Sequence, residues 1–380
     1  VVCFKTNQIV FDRAIADRKK GLGFMATVPG GIFDQNQDNF SGNDGSVISN
    51  FLDSLGLDDS PLNVVTFNAG GTLSSNDSVG ALAGTGNDTL TGNDLPNNLL
   101  LGNSGSNLII GGSGNASIVG GLGNDTVLGG IGDDQVYGGS GGDSIVAGSG
   151  NDVGRGGQGD DGVVGGAGSD TLRGGQGNDT VWGGATANPD GRNVQQAAGD
   201  EADLLYGDKG DDYIAGGADD DTLFGGIAGD TETDNDTLFG GLGDDQLQGN
   251  AGNDLMQGNT GADLIRGGAG DDTIRGGQGD DTLYGDKGDD QLRGDDGSDV
   301  YVFKSDSGVD MLFYDTGDTL QVDGSINGLS LTDPSDLSSR VSDDGSGNAI
   351  IDLGDGNSVT LVGLSDSDLL NDISTIIKIV

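Results

Sequence analysis

The sequence predicts an all-β protein, a parallel β-roll (a β-helix solenoid) with a C-terminal β capping region. Three observations predict it. An Asp recurs every nine residues between about positions 84 and 303, a large apolar residue follows nearly every such Asp by two positions, and glycines precede it at fixed offsets. A fixed period of this length marks a repeat architecture, in which each unit buries its apolar side chain only by stacking on its neighbours.

The composition agrees. With 78 Gly and only 33% hydrophobic residues in 380, the core must be thin. A formal charge of -46 repels nucleic acid and anionic membrane surfaces and leaves cations as the natural partners. Of 62 acidic residues only Glu201 and Glu232 are Glu; the other 60 are Asp, the short carboxylate that suits turns. Cys3 alone permits no internal disulfide, and no apolar run reaches the roughly 18 residues of a membrane span. The opening VVCFKTNQIVFDR begins with Val and lacks the layout of an export signal peptide, which reads as a fragment or a processed product.

The Asp series begins with an isolated forerunner, Asp88. It then runs through Asp125, Asp134, Asp143, Asp152, Asp161, Asp170 and Asp179, resumes at Asp203, Asp212 and Asp221, and continues through Asp236, Asp245, Asp254, Asp263, Asp272, Asp281, Asp290 and Asp299. The apolar partners run from Val127 and Val136 to Leu292 and Tyr301, with Gly154 the one failure. Stretches such as GGLGDDQLQ (Gly240 to Gln248) show the unit to be G-G-x-G-x-D-x-U-x.

Glycine supplies positive φ and close backbone approach. Where the second one is replaced, the substitutes are Asp208, Asn250, Asn259, Asp286 and Asp295, types that tolerate the left-handed region. The six residues from the first glycine to Asp are expected to form a turn. The x-U-x that follows is expected to form a three-residue strand with U pointing inward. Two units then close a winding of 18 residues, and equivalent positions stack at about 4.8 Å. Pairs such as Asp245 with Asp263 and Asp254 with Asp272 would repel each other unless a cation sits between them.

Ca²⁺ takes 6 to 8 oxygen ligands at tolerant geometry, so one Asp from each of two stacked turns plus about four carbonyls would suit it better than Mg²⁺ or Zn²⁺. Asp pairs 18 apart suggest roughly a dozen ions, enough to neutralise about half the charge, and binding them would then be folding energy.

These residues resemble the RTX (hemolysin-type calcium-binding nonapeptide repeat) family of type I-secreted bacterial proteins. The resemblance implies a right-handed roll in which turn carbonyls join the Asp side chains: Gly240, Gly241 and Gly243 with Asp245; Gly267, Gly268 and Gly270 with Asp272; Gly276, Gly277 and Gly279 with Asp281. It also implies export of an unfolded chain through a type I secretion apparatus and folding in calcium outside the cell. Residues 304–380 resemble the capping and secretion region after such repeats, with AIIDL and SVTLV flanking Gly354-Asp355-Gly356-Asn357 as a hairpin.

The pattern is broken in places. Asn98, Asn107 and Ala116 replace the Asp while Leu100, Ile109 and Ile118 keep the apolar position, so the roll is expected to continue there with weak or absent calcium sites. Insertions at 185–202 and 227–235 are expected to be surface loops. Residues 1–83 form a region of unknown role, with an amphipathic helix expected over Ser46–Leu57 and an unexplained basic cluster at Arg13, Arg18, Lys19 and Lys20.

With no His, the chain offers no Ser-His-Asp triad, Cys-His pair or His-ligated zinc, and no enzyme is expected in it. The G-x-G-x-x-G at 154–159 belongs to the repeat rather than to a dinucleotide site. The expected function is a secreted, calcium-dependent structural module. The alternatives are the C-terminal portion of a larger RTX hydrolase, toxin or adhesin, or a polysaccharide-binding module using the outward Arg173, Arg266, Arg275 and Arg293. Trp182, also outward, is expected to pack under the insertion that follows it.

Overall fold

The computed structural model describes residues 80–92, 94, 98–184, 201–227, 229 and 233–380, with short strands at 2–4, 9–11, 65–66 and 72–74. The helix expected over Ser46–Leu57, the basic cluster near residue 13 and most of the first insertion lie outside the described residues. In the second insertion, Ile227, Gly229, Thr233 and Asn235 are exposed, as a surface loop requires.

From Val65–Thr66 to Thr319–Val322 successive strands alternate between two sheets, of sixteen and fifteen strands among the described residues, so that the chain winds as a parallel β-solenoid. Partners within a sheet are two repeats apart. Val127 pairs with Ile145 and Ile145 with Val163 in one sheet; Val136 pairs with Gly154 and Gly154 with Leu172 in the other.

The strands are longer than expected. Thr126–Ile131 and Gln135–Ser140 each hold six residues, taking in the first two glycines of the next unit, and the turn proper is shorter to match. Without a Cβ those glycines let windings approach closely enough for the backbone ladder to continue past the apolar residue. The second position does need positive φ, and its substitutes Asp208, Asn250 and Asp286 adopt φ of 80°, 83° and 67°.

The core is a single file of apolar side chains, with Val127, Ile214, Leu238, Ile265 and Leu292 fully buried. At Gly154 the file has no gap to fill: a Cβ there would lie 2.9 Å from Leu172 Cδ2 and 3.1 Å from Val163 Cγ1, so the neighbours already occupy the space.

Past the last repeat, Val309–Phe313 and Thr319–Val322 add one more strand to each sheet. The expected hairpin forms from Ala349–Gly354 and Asn357–Val362, and its second strand pairs parallel with Val309–Phe313. The C-terminal capping region is not all β. Asp366–Ile376 is a helix whose N-cap, Ser365, accepts from the Asp368 amide, and Ile377–Ile379 then pairs with Thr319–Val322. Here the core widens to include Leu337, Ile351, Leu353, Val359, Leu361 and Leu369. Among the described residues no helix is long and apolar enough to cross a membrane.

Candidate metal-binding turns

Each turn delivers its Asp to the interior. None of the nineteen aspartates from Asp88 to Asp299 is more than 4% exposed, an unusual state for a carboxylate. One oxygen is satisfied locally: Oδ1 accepts from the backbone N–H of the Asp one winding earlier, as in Asp125 to Asp143 at 2.7 Å, Asp245 to Asp263 at 2.8 Å and Asp281 to Asp299 at 3.0 Å. The aspartates expected to stack do stack, in two columns.

In many of these turns the other oxygen is not satisfied. Oδ2 of Asp134, Asp245, Asp254, Asp272 and Asp281 is buried and accepts no hydrogen bond. It lies against the bare Cα of its own unit's first glycine. A Cβ at Gly129 would come within 2.6 Å of Asp134 Oδ2, and one at Gly240, Gly267 or Gly276 would come closer still to Asp245, Asp272 or Asp281. This first glycine is therefore required for space and not for φ, and the space it leaves is lined by the orphaned oxygen. Gly241, Gly243, Gly268, Gly270, Gly277 and Gly279 all have positive φ and shape the turns.

Burial without a counter-charge raises the carboxyl pKa values, and neighbouring aspartates raise them further. Asp134 and Asp143 are pushed up to about 7, and Asp245, Asp272 and Asp281 to about 8. Among the described residues no three His, Cys, Asp or Glu side chains converge on one point. An ion in these turns would take its carboxylates two at a time and complete its shell with main-chain carbonyls, the oxygen-only donor set that suits Ca²⁺.

Spacing alone undercounted the stacking. Across the first insertion the Asp170 and Asp179 amides donate to Asp203 and Asp212, 33 residues on; across the second the Asp212 and Asp221 amides donate to Asp236 and Asp245, 24 residues on. Both insertions leave the columns continuous. Two further buried residues were missed. Asp310 and Asp318 accept from the amides of Asp290 and Asp299 and tie the columns to the C-terminal region. Their separations of 20 and 19 residues broke the period that would have revealed them.

A second ladder also escaped the sequence reading. Residues just before the Asp accept from the backbone one winding later, as in Asp271 N–H to Asn253 Oδ1 and Asp289 N–H to Asp271 Oδ1, both 2.9 Å. The preference for Asn or Asp at the fifth position was its signal.

The outward arginines are engaged by their own surface. Arg173 pairs with Asp208 at 3.1 Å over the Tyr206 ring, Arg266 stacks 3.9 Å from the Tyr284 ring centre, and Arg275 and Arg293 both reach Asp295. Trp182 faces outward between Val164 and Ala215 and is half-buried; the loop expected over it lies outside the described residues.

The sequence model of the RTX calcium-binding nonapeptide repeat (four copies) matches residues 81–94, 97–127, 119–154, 128–163, 155–188, 198–232, 230–265 and 266–301. No curated protein matches the chain.

Proposed function

The chain belongs to the RTX calcium-binding nonapeptide repeat family, and from that premise we propose that it is an extracellular structural module, exported unfolded through a type I apparatus and folded by the Ca²⁺ it meets outside. The observation that carries this is the column of buried, stacked carboxylates in which the Oδ2 atoms of Asp134, Asp245, Asp254, Asp272 and Asp281 accept no hydrogen bond. A cation supplies the missing counter-charge when bound; the protein supplies two Asp per ion and the carbonyls of residues such as Gly240, Gly241 and Gly243, or Gly267, Gly268 and Gly270. With the stacks across both insertions included, the number of ions rises from about a dozen to about sixteen.

Between Asp125 and Asp299 binding and folding are then one event, since windings with this core and charge have little else to hold them. Far-UV circular dichroism of EDTA-treated protein is expected to have lost most of its β signal and to regain it cooperatively at millimolar Ca²⁺, with bound calcium counted in parallel. An unchanged spectrum ends the proposal.

The chain itself is read as non-catalytic. If it is the end of a larger hydrolase, toxin or adhesin, a reading frame extending well upstream of Val1 will show it. An acidic-polysaccharide surface along the outward arginines is the weaker reading, because Asp208, Asp286 and Asp295 already hold those guanidinium groups. Binding of a polyuronate in calcium, lost on Arg173→Ala with Arg266→Ala, would revive it.

A further inference from the structure

We propose that the first windings of the roll are built to hold without calcium, because the Asn107 side-chain amide takes the place of a cation there. The inference rests on the calcium reading above and concerns where that dependence stops.

Asn107 occupies the sixth position of its unit, Gly102–Asn107, and is 3% exposed. Its Oδ1 accepts from the Asp88 N–H at 2.9 Å, the same ladder bond that Asp Oδ1 makes in every later winding. Its Nδ2 donates to the carbonyls of Gly102 at 3.2 Å and Gly105 at 3.1 Å, the first and fourth residues of its own turn. A carboxylate and a carboxamide differ in one respect that matters here: the second acceptor oxygen is exchanged for two N–H donors. In an Asp turn the buried Oδ2 and the turn carbonyls are all acceptors, and only a cation can satisfy them together. In the Asn107 turn one neutral side chain satisfies the ladder and the carbonyls.

The neighbouring units agree. Ala116 brings no polar group to the sixth position, and its Cβ lies 3.2 Å from where a Gly111 Cβ would be. Asn98 is buried and neutral, while Leu100, Ile109 and Ile118 are fully buried. Three successive units thus keep the apolar file and bring no buried carboxylate of their own.

The other end of the roll repeats the device. Asn357 Oδ1 accepts from the Gly308 N–H at 2.7 Å, and its Nδ2 donates to the Gly354 carbonyl at 3.0 Å in the hairpin turn. The metal-dependent windings are bracketed by amide-closed turns. In a solenoid each winding is stabilised by the next, so a preformed end offers calcium-loaded turns an edge on which to assemble.

The test is hydrogen exchange by mass spectrometry on the whole chain in EGTA and in millimolar Ca²⁺, comparing peptides 98–115 and 262–290. Peptide 98–115 is expected to be protected in EGTA and to change less than about threefold on adding calcium, while 262–290 gains about 100-fold or more. Equal gains in both overturn the inference and leave the calcium reading standing; no gain in either overturns both. Asn107→Asp is expected to lose protection of 98–115 about tenfold in EGTA and to recover it in calcium. Retention of full protection by N107D in EGTA overturns the inference, because an aspartate there would lack the donor that the argument requires.

Discussion

Between Asp125 and Asp318 the protein buries carboxylates around a core one side chain wide; past Asp318 it buries mainly hydrocarbon. In the C-terminal region Leu337, Ile351, Leu353, Val359, Leu361 and Leu369 form an ordinary cluster, and the carboxylates that make hydrogen bonds are mostly exposed turn residues such as Asp333, Asp336 and Asp344. One chain therefore holds two solutions to the same problem. On the proposed function the first draws its folding energy from bound ions, and the second carries it in the sequence.

Removing calcium should separate them most. In EGTA the middle is expected to lose its β structure while the C-terminal region keeps its own. Trp182, the only Trp, lies in the roll and reports on that half alone, and proteolysis of peptide 349–362 reports on the other. Loss of both together would show that the C-terminal region leans on the roll.

pH should act with opposite signs. In the metal-free roll, burial raises Asp254 to about 6, Asp134 to about 7 and Asp245 to about 8, from an ordinary value of 3.8. A group raised on folding contributes stability that is complete below about pH 3.8 and is lost as pH climbs through 6 to 8. Acidifying EDTA-treated protein from pH 8 to pH 4 should therefore restore the native Trp182 fluorescence, while the same shift weakens calcium binding because protons compete for the carboxylates. In the C-terminal region the Ser335 hydroxyl lowers Asp333, the Thr332 amide lowers Asp336, and the Asn348 side chain lowers Asp344. That contribution is present above pH 3.8 and falls away below it. A metal-free roll that gains nothing on acidification would mean its buried carboxylates are not the obstacle.

Glycines should differ by reason as well as by region. A Cβ at Gly267 would meet Asp272 Oδ2 and come within 2.7 Å of the Gly285 carbonyl. Gly267→Ala is expected to cost about 3 kcal/mol in calcium-saturated denaturant unfolding and to remove about one bound ion. Gly345, at φ 83° with nothing within 4 Å, presents only a backbone penalty, and Gly345→Ala should cost about 1 kcal/mol. Arg266→Ala removes an exposed ring contact and a 3.8 Å ion pair with Asp286, and should shift stability by less than about 1 kcal/mol.

Much of this was legible in the residue order, because a nine-residue period is a local fact. The file from Val127 to Tyr301, the stacking of Asp residues from successive turns, the positive φ at Asn250 and Asp286 and the hairpin at Asp355-Gly356 all follow from repeat and turn chemistry. The six-residue strands did not, since a glycine looks like a turn residue until the neighbouring winding hydrogen-bonds to it. Nor did the helix Asp366–Ile376, which lies in a region expected to be a β cap.

Which turns meet is a relation between windings, and a loop can lengthen one winding without moving the stack. Asp170 therefore meets Asp203 across 33 residues, Asp318 closes a column outside the period, and Asn107 finds two carbonyls in its own turn. Linear spacing names the carboxylates; the superposition of windings chooses their partners, because the backbone ladder enforces register on space and not on sequence separation.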